Sequence, residues 1–537
     1  MQEFIAKYQD QIQGTLTGFD RLVLGGSLRR LDVCQYRPEM KALRALAMEQ
    51  YCLANRILLK DFAAHVKAVS EAIKRASTQP FRERDLPVIY LPSPKTDKNE
   101  VARQVARERN IEQGLVCALS ATEMHPTFQH RNTFLVRREA PCHVLYHYMI
   151  HPQLGWMYAR LQSWFPFQIQ VGLNGREWLA QQMRLAGMGF EQAGNCFVWV
   201  EDYARAQALL DEQLKTDWVT LLNRLADQLN PLRASIFETY PAEYYWTCRE
   251  SEWATDIGFR QAESLQRLMP ILVRHSTVSM QSADVLRYFN RKLTNSGAIP
   301  GSFRDSLQSD LKRRQEGDRV KFRMNGNSVK FYDKAYSDRG SVLRVETTLN
   351  NVKGFKAYRP KQGGPDDELS WRHMRTGVAD LYRRGQVSQA SNERLLDALA
   401  RTDDSRTVAE LTARIQQRTQ WKHRPVRALR PWGEDHALLQ AICRGDFLLQ
   451  GLRNRDLQPI LYATPAASPA SPAEARRRSA AISRKLRMLR AHGLIQKVAK
   501  THRYQIPPEA RTVLMTVLTS AHTSLHQLNQ LQNETAA

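Results

Sequence analysis

The sequence predicts an α+β chain of several domains, with antiparallel sheets, a helical spacer, and a C-terminal helix followed by two short strands. Three observations lead there. Residues 142–175 and 319–350 are rich in aromatic and β-branched residues, and in 319–350 cations alternate with apolar residues, as in half-buried strands. Leu and Val recur through 371–418 as apolar positions of helices. Near the end, Ile482, Leu486 and Leu489 fall at i, i+4 and i+7, and 494–506 then reads as a strand, a basic turn and a return strand. A length of 537 residues with 42% hydrophobic content suits three or four units with real cores. We divide the chain into an α/β region with aromatic strands (1–200), a mainly helical region (201–300), a basic antiparallel sheet (301–360), a helical spacer (361–425) and a terminal basic domain (431–525).

Composition narrows the partners. The formal net charge is +24, which makes nucleic acid the default partner. There is no 18-residue apolar run, signal-peptide core or lipidation motif, so the expectation is no membrane partner and a cytoplasmic location. Seven cysteines are scattered without a CxxC pair, which argues against a disulfide framework and a zinc finger. P-loop, GxGxxG and GxSxG motifs are absent, which disfavours ATP-driven and serine-hydrolase chemistry.

In chain order, Phe4 to Gln11 reads as a helix. Phe19, Leu22, Val23 and Leu24 form a strand ending in a Gly25-Gly26 turn, and Asp20 is the one acid in that apolar run. A strand-borne Asp before a glycine turn is how several metal-dependent nucleases begin their sheet; the alternative is a surface or capping residue. Met40 to Ala76 and Asn99 to Asn110 read as helices, and Leu115 to Leu119 as a strand. On the strand that begins at Cys142, His143, His147 and His151 share a face but span too far for one ion, given about 3.3 Å per residue. Tyr146, Tyr148, Trp156 and Tyr158 are core candidates, with stacking on unpaired bases as the alternative. Tyr203 to Leu229 is helical. Glu252 and Asp256 lie four apart, on one face if their segment is a helix, where two carboxylates can hold Mg²⁺ or Mn²⁺. Pairing with arginine is the plainer role.

Asn325-Gly326-Asn327 marks a hairpin. Lys321, Arg323, Lys330, Lys334 and Arg344 alternate with apolar residues around it, giving one sheet face a basic character and making these five candidate nucleic-acid contacts. In the terminal domain, His436 to Cys443 and Leu452 to Tyr462 read as helices. An Ala/Pro/Ser-rich loop, 463–475, precedes a third helix that ends at His492-Gly493. Ten cations, Arg476, Arg477, Arg478, Arg484, Lys485, Arg487, Arg490, Lys497, Lys500 and Arg503, face a single acid, Glu474. Such an excess points to phosphate contact, with affinity that falls with salt.

Two resemblances follow from these segments. The order helix, helix, helix, basic strand pair resembles a winged-helix domain, which implies duplex binding by the third helix. The pair VKFYDK and LRVETTL resembles a segment of rolling-circle and filamentous-phage replication initiators. That resemblance implies a metal-binding role for Glu346, and puts Tyr332, Asp333 and Lys334 on a strand near the phosphate. The paired-histidine motif of those initiators is missing here. The whole chain is also similar to a family of bacterial proteins that brings no activity to transfer.

The reading is a nucleic-acid-binding protein of a mobile or replicating element, with DNA as partner. If it is an enzyme, it is a divalent-metal-dependent endonuclease using Mg²⁺ or Mn²⁺. Candidate catalytic residues are Asp20, Glu252, Asp256, Glu346 and Tyr332, the four acids doubling as metal ligands. The alternatives are a non-catalytic transcription regulator without cofactor, and an RNA-binding or RNA-guided protein.

Overall fold

The computed structural model describes residues 1–31, 45–280, 282–292, 307–314, 317–361, 365, 368–401, 407–444, 447, 451–462, 471–498, 501–521 and 523. It is a mixed α+β structure, 41% helix and 32% strand, with one large mixed sheet and several small antiparallel ones. The chain divides into two compact units built from separated stretches. One comprises 1–9, 263–333 and 393–537, the other 10–262 and 334–392.

The unit 10–262 with 334–392 is built on long strands. These are β1 (Ile12–Leu28), β2 (Val88–Tyr90), β3 (Gly114–Arg131), β4 (Phe134–His151), β5 (Gly155–Gln162), β6 (Ile169–Asn174), the hairpin β7 (Phe190–Ala193) with β8 (Cys196–Val200), and β9 (Tyr244–Phe259). Next in the chain come β10 (Gln308–Arg314), β11 (Gly317–Met324), β12 (Asn327–Ser337) and β13 (Gly340–Thr348). Within this unit the strand order is β13-β9-β1-β6-β5-β4-β3-β2, antiparallel throughout except for the parallel pair β2 and β3. Helices Leu46–Ala54, Phe62–Arg82 and Trp218–Leu229 bury one face of it, around Tyr51, Phe165, Phe167 and Phe237. Tyr146, Tyr148, Trp156 and Tyr158 pack together in a second cluster, so the aromatic strands of 142–175 are core.

Three local expectations are corrected. Gly25-Gly26 is no turn, because β1 continues through both to Leu28. The Arg249 guanidinium and the Trp246 ring of β9 lie where their Cβ atoms would be, so glycine here admits side chains rather than bending the chain. The predicted helix 40–76 is broken: its first residues lie outside the described ones, and Arg56 takes φ +55° between Leu46–Ala54 and Phe62–Arg82. The segment around Glu252 and Asp256, considered above as a helix, is the sixteen-residue strand β9.

In the other unit, β10, β11 and β12 as far as Asp333 pair antiparallel in sequence order. Asn325 and Gly326 both take positive φ, +49° and +81°, as a two-residue hairpin turn between β11 and β12 requires. A separate core joins helices His436–Ile442, Asn454–Leu461, Pro472–Ala491 and Pro508–Ser520, with the strand pair Gln496–Lys497 and Tyr504–Gln505. The residues expected to be apolar on the long helix, Ile482, Leu486 and Leu489, are its buried ones. Of the predicted loop 463–475, residues 463–470 lie outside the described residues, and the helix starts at Pro472 behind the cap Ser471.

A candidate metal centre and a candidate nucleic-acid interface

Three strands converge on one group of acids. In β9 the residues Glu252, Ala254 and Asp256 alternate onto one face. Across the ladder Thr348 faces Glu252, Glu346 faces Ala254 and Arg344 faces Asp256. Cross-strand partners share a face, so β9 and β13 together present three carboxylates and a guanidinium. On the other flank of β9, Phe19 pairs with Trp253 and Arg21 with Glu252, which leaves Asp20 as the extra residue of a β-bulge. A bulge re-aims its side chain, and Asp20 is buried. The ligand-capable oxygens of Asp20, Glu252 and Glu346 all lie within 4.8 Å of one another.

Asp256 stands apart from that trio and has another task. Its Oδ2 accepts from Arg176 Nε at 2.8 Å and from Arg344 Nη2 at 2.8 Å, and its Oδ1 from Arg344 Nε at 2.5 Å. Burial pushes this carboxyl up, but the two guanidiniums outweigh it and hold Asp256 below the usual carboxylate range. Arg344 also reaches back to Asp20, Nη1 to Oδ1 at 3.2 Å, and donates to the Asn195 carbonyl. Asn195 Nδ2 donates to both Asp20 oxygens at 2.9 Å. Desolvation raises the Asp20 carboxyl, Arg344 opposes it, and Glu346 adds to it; the net shift is upward.

Arg176 reaches this site because Asn174 at the end of β6 caps the helix Gly175–Leu185, accepting from Arg176 N and Glu177 N. The helix starts against β1 at the bulge itself, where a Cβ on Gly175 would overlap the Phe19 carbonyl oxygen. Arg176 is fully buried and also donates to the Ala254 carbonyl at 3.1 Å. Arg176 and Asn195 carry no sequence signal for this role. Only an Asn-Gly helix start after a strand hints at the first.

The other predicted residues fall elsewhere. Arg344, read above as a nucleic-acid contact on the basic sheet face, is wholly buried among Asp256, Asp20 and Asn195. Tyr332 lies in the other unit, opposite Arg319 in the β11–β12 ladder, with Lys330 Nζ 5.6 Å from its ring centre. Lys334 is half-buried on β12. His143, His147 and His151 join no metal-capable group among the described residues. His147 instead bonds Ser77 Oγ at 3.1 Å.

The second surface lies on the long C-terminal helix. Ser471 Oγ accepts from Glu474 N at 3.2 Å, and Gly493 at φ +72° closes the other end, with Leu494 N bonding the Leu489 carbonyl. Arg476, Arg477, Arg484, Lys485 and Arg487 are exposed. Two others are occupied. Arg478 pairs with Glu474 at 2.5 Å and lies over Tyr462, and Arg490 lies over Trp421 and near Tyr504. Lys497 is exposed on the strand that follows, Arg503 is half-buried beside its partner strand, and Lys500 lies outside the described residues. In the β10–β12 meander Lys321 pairs directly with Lys330, next to Arg319 and Arg323. Asp310 answers Arg323 at 3.1 Å and Arg319 at 3.8 Å. Desolvation and these neighbouring cations lower the Lys321 ammonium.

No family model, curated protein or solved structure matches the chain. No helix among the described residues is long and apolar enough to cross a membrane.

Proposed function

We propose that this chain is a DNA-binding protein of a mobile or replicating element, and that its Asp20 trio supports divalent-cation-dependent cleavage of a phosphodiester. On this reading residues 431–525 bind duplex as a winged helix, with the exposed arginines of Pro472–Ala491 toward the phosphates. The observation that carries the catalytic part is the meeting of Asp20, Glu252 and Glu346 from three strands within 4.8 Å. An all-carboxylate donor set is hard and suits Mg²⁺ or Mn²⁺ over zinc. Asp20, raised by burial despite Arg344, sits where more positive charge would be stabilising.

Asp20, Glu252 and Glu346 would hold the cation, which would polarise a phosphoryl oxygen and bring an attacking water or hydroxyl into reach at neutral pH. The chain's own residues set the stage for that. Asn195 and Arg344 fix both oxygens of Asp20, while Asp256 and Arg176 fix Arg344, so Asp20 is held in the trio by a bonded frame. Phosphate binding draws support from the five exposed cations of the long helix, from the Lys321–Lys330 pair, and from a cleft of about 420 Å³ lined by Arg287, Arg291, Lys292 and Arg394. Directly opposed like charges on a ladder are unfavourable, and Asp310, which faces Lys321 from β10, answers only part of that cluster.

The test separates binding from cutting. With Mg²⁺ or Mn²⁺ the purified protein should nick labelled DNA, chelation and Glu346→Ala should each abolish nicking, and Glu346→Ala should still bind. DNA and RNA substrates that stay intact under every metal condition would remove the catalytic part. Duplex binding indifferent to Arg484→Glu with Arg487→Glu would remove the helix part.

A further inference from the structure

A cavity of about 840 Å³ opens between the helices Phe62–Arg82 and Trp218–Leu229 and the end of β4. It is remote in chemistry from the carboxylate trio, and the functional reading above makes no use of it. Its size falls in the range of pockets that enclose a small organic ligand, roughly 300–1,000 Å³. The walls are chiefly aliphatic: Leu115, Met149, Ile150, Leu221, Leu225 and Leu229. The one phenyl ring of the described lining, Phe81, is already set edge-on to His147, with centroids 4.8 Å apart and planes at 73°. That leaves no flat platform for a stacked base.

The polar groups also point one way. His147 is buried, and desolvation pushes its imidazole down to about 3, so it is a neutral partner of Ser77 at ordinary pH. His151 turns Nδ1 to the backbone N–H groups of Gln153 and Leu154, and burial lowers it too. Among the described lining residues none is an acid, and the charged ones are Arg84 and Arg224. Arg84, which is exposed, donates from Nη1 to the Pro80 carbonyl at 2.9 Å. Arg224 also borders a second cavity beside Glu212 and Asp217, so Arg84 is the more dedicated of the two.

We propose that this cavity binds a small acyl carboxylate, with its aliphatic chain among Leu115, Met149, Leu225 and Leu229 and its carboxylate at Arg84 and Arg224. Each buried methylene of such a ligand would add to affinity, and the two guanidiniums would select the anion over the alcohol of equal length.

Isothermal titration calorimetry on the full chain tests this, with decanoate, decan-1-ol and adenosine monophosphate as probes and circular dichroism to confirm folding. Decanoate should bind about tenfold or more tightly than decan-1-ol. Arg84→Ala with Arg224→Ala should erase that difference, and Leu225→Trp, which fills the cavity, should remove both. Equal binding of acid and alcohol would overturn the proposal. So would decanoate binding unaffected by Leu225→Trp, no heat from decanoate with the folded wild-type protein, or preference for the nucleotide. Nicking and duplex binding are read separately, so this site stands or falls apart from the carboxylate trio.

Discussion

At the scale of single residues, two aspartates of one cluster titrate in opposite senses. Asp20 is raised in the fold by burial and by Glu346, against Arg344. A raised carboxyl stabilises the fold when protonated, and that contribution is lost as pH climbs through its folded pKa. Asp256 is held low by Arg176 and Arg344, so its contribution is present above the ordinary aspartate range, near 3.8, and is lost on acidification below it. In metal-free protein, Asp20→Asn should therefore gain stability relative to wild type as pH rises from 4 to 8. Asp256→Asn should lose about 3–5 kcal/mol at neutral pH, because it strands two buried guanidiniums, and should converge on wild type in acid. Urea melts across that range read both slopes. Parallel slopes would mean that the two carboxyls do not differ in environment. Mg²⁺ should raise the midpoint of wild type but not of Asp20→Asn. Part of this was legible residue by residue: Asp20 and Glu346 stood out as acids on expected strands, and Glu252 and Asp256 as acids among aromatics on one face of an expected helix. Their division of labour did not, because it turns on a bulge that leaves Asp20 without a ladder partner, and no residue type announces a bulge.

At the scale of elements, local pattern was legible wherever one face is buried and the other wet. The long C-terminal helix displayed its stripe as Ile482, Leu486 and Leu489 because the remaining faces are charged, and Gly493 marked its end. β9 was ambiguous because it is buried on both faces, so its sequence alternates little and Glu252 and Asp256 fit a helix or a strand equally. Either way they share a face, but a strand sets four residues about 13 Å apart, and this is why one joins the trio and the other the arginines. β1 hid its length in Gly25-Gly26, which accept side chains from β9. The junction of β6 with Gly175–Leu185 yields a sharper prediction. A methyl at Gly175 would collide with the Phe19 carbonyl beside the bulge, so Gly175→Ala should cost about 1–3 kcal/mol, as overpacked cores do, and weaken Mg²⁺-induced stabilisation. A variant as stable as wild type, with its metal response intact, would show that the helix start and the bulge move independently.

At the scale of the whole molecule, charge decides what a sequence can say and what topology must add. The net charge of +24 is visible in composition, but its placement is not. Arg344 and Arg176 are spent inside, Arg478 and Arg490 are engaged with Glu474 and aromatic rings, and Arg476, Arg477, Arg484, Lys485 and Arg487 remain exposed on one helix. The two units also draw on interleaved stretches, 263–333 and 334–392 among them, which no consecutive reading of segments can express. The distribution leads to a measurable salt dependence. If the five exposed cations of the helix each neutralise one phosphate, log K for duplex should fall with log salt at a slope near −4.5, about 0.9 for each contact. Fluorescence anisotropy between 50 and 300 mM salt measures it. Arg484→Ala with Arg487→Ala should flatten that slope by about 2, whereas Arg478→Ala, already paired, should leave it nearly unchanged. A slope that ignores the first pair and responds to Arg478 would mean that exposure on the helix does not report the residues that meet the phosphates, and the duplex-binding face would have to be sought among Arg319, Lys321, Arg323 and Lys330.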